Sequence, residues 1–106
     1  MDSFEKVGLL QYEFTAKPFF LHGEDACGWH FVSLPKELAK EIRRHHKSQE
    51  EGWGRMKAVV KVGGSEWRTS IWFDTKHDTY LLPIKAEIRK REKIGVDKDV
   101  EVTIWI

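Results

Sequence analysis

The chain has 106 residues, with 18 Lys and Arg against 17 Asp and Glu, five His and one Cys, so the charge sum names no strongly basic or acidic partner. At this length the expectation is a single domain over 1–106 that buries roughly two-thirds of its unfolded surface, and five Trp with six Phe supply bulk for one core. One cysteine excludes an internal disulfide framework; neither a charged leader with an apolar run nor a bilayer-length apolar stretch is visible, which sets the expectation of a cytoplasmic protein with no membrane partner.

A lead segment, 1–8, precedes residues 10–17, where Leu10, Tyr12, Phe14 and Ala16 alternate with Gln11, Glu13, Thr15 and Lys17. That is the period of a half-buried strand, and Pro18 ends it. Residues 21–28, with Gly23, Glu24, Asp25 and Gly28, have loop composition, and 29–34 read as a second strand closed by Pro35. Over 36–47 the period changes: Leu38, Ala39 and Ile42 share one helical face, charged residues cover the rest, and Pro35 suits the start. After a Gly-punctuated loop at 48–54, Met56, Ala58, Val60 and Val62 alternate with Arg55, Lys57 and Lys61 as a third strand. Gly63-Gly64 then supplies freely positive φ, and Trp67, Thr69, Ile71 and Phe73 alternate in a fourth strand, so the two form a hairpin. A turn at 74–78, a fifth strand at 79–82 and a second helix at 84–93 follow, introduced by Pro83 and capped at Gly95. Val100, Val102 and Ile104 mark the closing strand.

The predicted order is ββαβββαβ. An internal echo runs through it, a strand ending in Leu34-Pro35 and again in Leu82-Pro83, each leading into a short charged helix with an Ile-Arg pair (Ile42-Arg43, Ile88-Arg89). Six short strands on so small a chain are most simply joined into a mainly β fold, a closed or nearly closed six-stranded barrel with two short helices plugging or capping it, because closure removes exposed edges.

Several motifs carry a family resemblance. The run from Gly28 through Trp29, His30, Phe31, Val32 and Ser33 to Leu34-Pro35, the hairpin Val62-Gly63-Gly64 leading into Trp67-Arg68-Thr69-Ser70-Ile71, and the run Leu82-Pro83-Ile84-Lys85-Ala86-Glu87-Ile88-Arg89 with Gly95 and Asp99-Val100-Glu101-Val102 together resemble the small bacterial and archaeal domains of unknown function nineteen-oh-five. The resemblance covers the chain from about Leu10 onward and implies a six-stranded barrel with helices between strands; it implies no activity. Lys98-Asp99 departs from the Gly-Asp usual in that family, so the turn before the last strand is made without that glycine. The C-terminal strand-Leu-Pro-helix-strand unit also resembles, faintly, the swapped-hairpin barrels of bacterial transition-state regulators and antitoxins.

Chemistry-bearing clusters are sparse. His22, Cys27 and His30, with Asp25 between, include a C-x-x-H spacing that would suit zinc, but the remaining histidines, His45, His46 and His77, lie in other segments with no second C-x-x-C or H-x-x-H pair, so a loop cysteine beside a strand histidine is the preferred reading and no metal or other cofactor is expected. Ser70, Asp74 and His77, or Cys27 with His30, contain a nucleophile and a base, yet no strained turn projects Ser70 and nothing electropositive beyond His30 sits near Cys27, so no catalytic residue is expected. Basic residues crowd both helices (Arg43, Arg44, His45, His46 and Lys47; Lys85, Arg89, Lys90, Arg91 and Lys93), interleaved with Glu37, Glu41, Glu87 and Glu92 at ion-pairing spacings.

Trp72 and Trp105 fall on the polar parity of their strands whereas Trp67 shares the core parity. Those two rings would either form a binding patch or be buried under the helices as a second core. The expectation is a non-enzymatic module for a small ligand or a protein partner, with Lys85, Arg89, Trp72 and Arg68 as ligand-binding residues. The alternative is a nucleic-acid-binding regulator using the basic helices, and a zinc or thiol enzyme comes last.

Overall fold

The computed structural model of the protein describes residues 6–22 and 28–106. Its strands are β1 (Gln11–Ala16), β2 (Phe19–His22), β3 (Gly28–Ser33), β4 (Arg55–Val62), β5 (Ser65–Asp74), β6 (Thr79–Pro83) and β7 (Val100–Trp105). Helix α1 (Lys36–His46) follows β3, and α2 (Ala86–Glu92) follows β6. Neighbouring strands all pair antiparallel, in the spatial order β1-β7-β4-β5-β6-β3-β2.

This is an open half-barrel of seven strands, which corrects the expected closed barrel of six. The additional strand is β2, immediately after Pro18. It carries no alternation to read because both of its faces meet aromatic rings: Phe19 lies 6.1 Å from Phe31 and Phe20 lies 4.8 Å from His30. β1 and β2 are consecutive in the chain yet form the two edges of the sheet, joined only by Lys17-Pro18. Three residue steps span at most about 11 Å, so the link pulls the edges together and curls the sheet. Those edges do not pair with each other, and the wall stays open along that seam.

The alternation read from β4, β5 and β7 holds. Met56, Ala58, Val60 and Val62, then Trp67 and Ile71, then Val100, Val102 and Ile104 are all buried on the concave face. Both helices pack onto that same face through Ala39, Ile42 and Ile88. The helices therefore do not cover the convex face. Phe31 and Leu81 are nevertheless buried there, because Trp72 meets Phe31 edge-on at 5.4 Å, Phe19 lies beside Phe31, and His77 stacks on Phe19 at 5.7 Å. The two Leu-Pro half-units meet as neighbouring strands, Val32 opposite Leu82, and their ladder runs on through Leu34 N–H to Tyr80 O (3.0 Å) and Ile84 N–H to His30 O (2.9 Å).

That last bond moves the start of the second helix. Pro83 closes β6 opposite Phe31, Ile84 continues the ladder, and α2 begins only at Ala86. Its left-handed terminal residue is Lys93 (φ 55°), not Gly95, because half-buried Ile94 must turn back onto the core while its N–H bonds Arg89 O at 2.9 Å. The turn that lacks the family glycine is made by Asp97 at φ 81°, an acceptable position for a short polar side chain. In the β4–β5 hairpin only Gly63 has positive φ (57°), and the Glu92 carboxylate of α2 sits over it, accepting from the Ser65 hydroxyl at 2.6 Å and from Gly64 N–H at 3.4 Å.

Candidate functional site

On the convex face, β4 and β5 place Lys57 opposite Ser70 and Val59 opposite Arg68, while β7 brings Trp105 beside Val59 from the other side. β4 runs on past its last pairing with β7, and a groove of about 560 Å³ opens there. Lys57, Arg68, Ser70 and Trp105 line it together with Gln49 and the apolar Val59 and Ile106. The Trp105 ring is held from one side by Lys6, whose ammonium lies 4.4 Å from the ring centre and pairs with Glu66 at 2.9 Å.

Behind Gln49 lies an uncharged hydrogen-bonded chain. The Gln49 amide nitrogen donates to His46 Nδ1 (3.1 Å), which leaves Nε2–H to donate to the Tyr12 hydroxyl (2.9 Å). Burial, with the neighbouring His45 charge, holds His46 below the ordinary imidazole value, and burial with Glu41 pushes Tyr12 up. Both rings therefore stay neutral at neutral pH. His46 was legible only as a basic helix residue; that it turns inward to meet β1 follows from packing.

The four sequence-predicted ligand residues separate. Arg68 lines the groove; Trp72 lies further along the convex face of β5, against Phe31. Lys85 is exposed just before α2, away from the groove lining, and Arg89 donates through Nε to Ile84 O at 3.3 Å. Arg89 also lies near His30, whose imidazole is held low by burial and then by that positive charge. Lys57 reaches the groove through the β4–β5 hairpin register, whereas Trp105 arrives beside Val59 through the β4–β7 pairing of two distant segments.

A second cavity, of about 590 Å³, lies at the seam of the half-barrel. β1 contributes Thr15 and Ala16, the end of β3 contributes Ser33, α1 opens with Lys36, and the β5–β6 turn brings Lys76 and His77. His77 Nδ1 is hydrogen-bonded to Asp74, which also accepts from Lys76 N–H at 3.2 Å. Burial raises the Asp74 carboxyl, but the hydrogen bonds from His77 and Lys76 and their charges outweigh it and leave the group below its ordinary value. Ser70 lines the other groove, so Ser70, Asp74 and His77 do not form a catalytic set. Asp25 and Cys27 lie outside the described residues, as does the His22 side chain; among the described residues, no three His, Cys, Asp or Glu cluster as metal ligands.

Much of the helix charge is engaged internally. Arg43 pairs with Glu50 at 3.4 Å and lies 4.1 Å over the Phe73 ring, while Glu50 also accepts from the buried Tyr80 hydroxyl. Arg91 reaches the Ser65 hydroxyl at 3.3 Å. Among the described residues no helix is long and apolar enough to cross a membrane.

The family model described as Domain of unknown function (DUF1905) matches residues 14–104. No curated protein matches the sequence.

Proposed function

The chain belongs to the DUF1905 family, a domain of unknown function, and on that premise we propose that it is a non-enzymatic binding module whose groove at Lys57, Arg68 and Trp105 seats a small ligand with an anionic group and a planar apolar part. The observation that carries this reading is the composition of one cavity, lined by two cations, Lys57 and Arg68, the Ser70 hydroxyl, the Trp105 indole and the apolar Val59 and Ile106. Most ligand sites combine an apolar lining with a few placed polar groups in this way. Charge-assisted hydrogen bonds from Arg68 and Lys57 would orient the anion, and Trp105 would stack on the ring. Trp72, Lys85 and Arg89 fall outside this seat and keep at most a peripheral part. The nucleic-acid reading draws less support, since Arg43, Arg89 and Arg91 each hold a partner within the fold.

The test is a titration with benzoate and indole-3-acetate, followed by tryptophan fluorescence and by NMR shifts of the Arg68 and Trp105 amides. Saturable shifts confined to the groove, weakened about tenfold or more in Arg68→Ala, are expected from the loss of one charged hydrogen bond. Equal affinity in native protein, Lys57→Ala and Arg68→Ala would refute the assignment.

A further inference from the structure

The seam cavity is a separate site with a different chemistry. Lys36 and Lys76 reach it from two chain segments, α1 and the β5–β6 turn, and among the described residues no carboxylate lines it. Neither ammonium forms a salt bridge among the described residues. Asp74, two residues before Lys76, is turned toward His77 Nδ1 and Lys76 N–H. His77 is itself fixed by that bond and by its stacking on Phe19, leaving Nε2 for another partner. Thr15 and Ser33 add hydroxyl donors, whereas the third hydroxyl, Thr79, is committed to Leu34 O at 2.7 Å.

Like charges gathered on a concave surface focus a positive potential, and an anion there relieves their mutual repulsion. Two ammonium groups and two hydroxyls supply more donors than the two oxygens of a carboxylate use, but they match the three terminal oxygens of a phosphoryl group. Ala16, Leu34 and Pro35 form the remaining lining, which suits a short carbon portion. We propose that the seam of the half-barrel is a binding site for a small phosphomonoester, its phosphoryl group held between Lys36 and Lys76 and its carbon end against Leu34 and Pro35.

Glycerol phosphate is the probe, titrated into the ¹⁵N-labelled protein, with glycerol as the uncharged control. Saturable shifts are expected at Thr15, Ser33, Lys36, Lys76 and His77, with none from glycerol. The double variant Lys36→Ala/Lys76→Ala should bind at least about tenfold more weakly, because each lysine removes a charge-assisted contact. Lys90→Ala/Lys98→Ala, with the same change in net charge, should stay within about twofold. Both cleft lysines are exposed, and removing a cation from the first turn of α1 does not oppose the helix dipole, so the double variant is expected to fold. A short single-stranded oligonucleotide, with and without a 5′-phosphate, is the decisive arm on native protein: preference for the phosphorylated form, with shifts in the cleft, supports the site. Equal binding of both forms, diffuse unsaturable shifts, or an unchanged affinity in the cleft double variant overturns it.

Discussion

Replacing Gly63 by alanine strikes the hairpin twice. The backbone at φ 57° is left-handed, which costs a residue with a Cβ about 1–2 kcal/mol. The new methyl group would also sit inside contact distance of Glu92 Oε1 and 3.0 Å from its Cδ, so the carboxylate has to leave the Ser65 hydroxyl and Gly64 N–H. Losing that partly exposed charged bond adds about 1–2 kcal/mol after allowance for solvent. The sum, about 2–4 kcal/mol, lowers the melting temperature of a domain this size by roughly 10–25 °C. Gly64→Ala is the control, since Gly64 lacks positive φ and a Cβ there would stand 4.0 Å from Glu92 Oε2; it should change stability by less than about 1 kcal/mol. Urea unfolding of both variants, in native and Glu92→Ala backgrounds, separates the two costs. In the Glu92→Ala background the Gly63→Ala cost should shrink to the backbone part, about 1–2 kcal/mol. Equal costs for Gly63→Ala and Gly64→Ala, or a Gly63→Ala cost unchanged without Glu92, would refute the reasoning.

Two further outcomes follow from buried polar groups. Glu50→Ala strands the fully buried Tyr80 hydroxyl and releases Arg43, so unfolding free energy should fall by about 2–3 kcal/mol, whereas Glu50→Gln, which still accepts from Tyr80, should lose about half as much; equal losses would contradict the role given to Tyr80. His46 has a folded pKa below its ordinary 6.5, so as pH falls through about 6.5 the unfolded chain takes up a proton that the folded protein refuses, and stability declines until folded His46 itself protonates. His30, also held low, acts in the same direction, so His46→Gln should reduce the stability difference between pH 7.5 and 5.5 without abolishing it. An unchanged difference in that variant would assign the slope elsewhere.

How far the fold was readable depends on whether a strand has one wet face. β4 and β7 each bury one face throughout and leave the other, Val59 excepted, exposed or half-buried, so their period-2 pattern named Met56, Val60, Val102 and Ile104 as core residues correctly. β2 meets aromatic rings on both faces and has four residues, too few to show a period, and the strand count came out one short. Helix ends were misplaced for a related reason: Ile84 still obeys the ladder to His30, and Ile94 obeys the core, so tertiary contacts moved the boundary of α2 past Pro83 and its cap to Lys93. Parity placed Arg68 and Trp72 on one face and the β4–β5 hairpin sets Lys57 opposite Ser70, but the approach of Trp105 to Val59 rests on the β4–β7 register, which joins residues more than forty positions apart.

The same openness that broke the closed-barrel expectation is what creates room for ligands. A fully closed small barrel fills its interior with side chains and leaves little between strands. Here the concave face is filled by Tyr80, Ile71, Ile42 and their neighbours, so a ligand has to enter where the hydrogen-bonded wall is interrupted. Both cavities lie at such places, one beyond the last β4–β7 pair and the other where β1 approaches β3 without pairing. Backbone polar groups at an interrupted wall must meet water or a partner, so these are the positions where polar ligand atoms replace solvent at least cost. Basic side chains stand at both interruptions, Lys57 and Arg68 at one and Lys36 and Lys76 at the other, which is why both proposed sites are assigned to anions on a chain whose net charge is only +1.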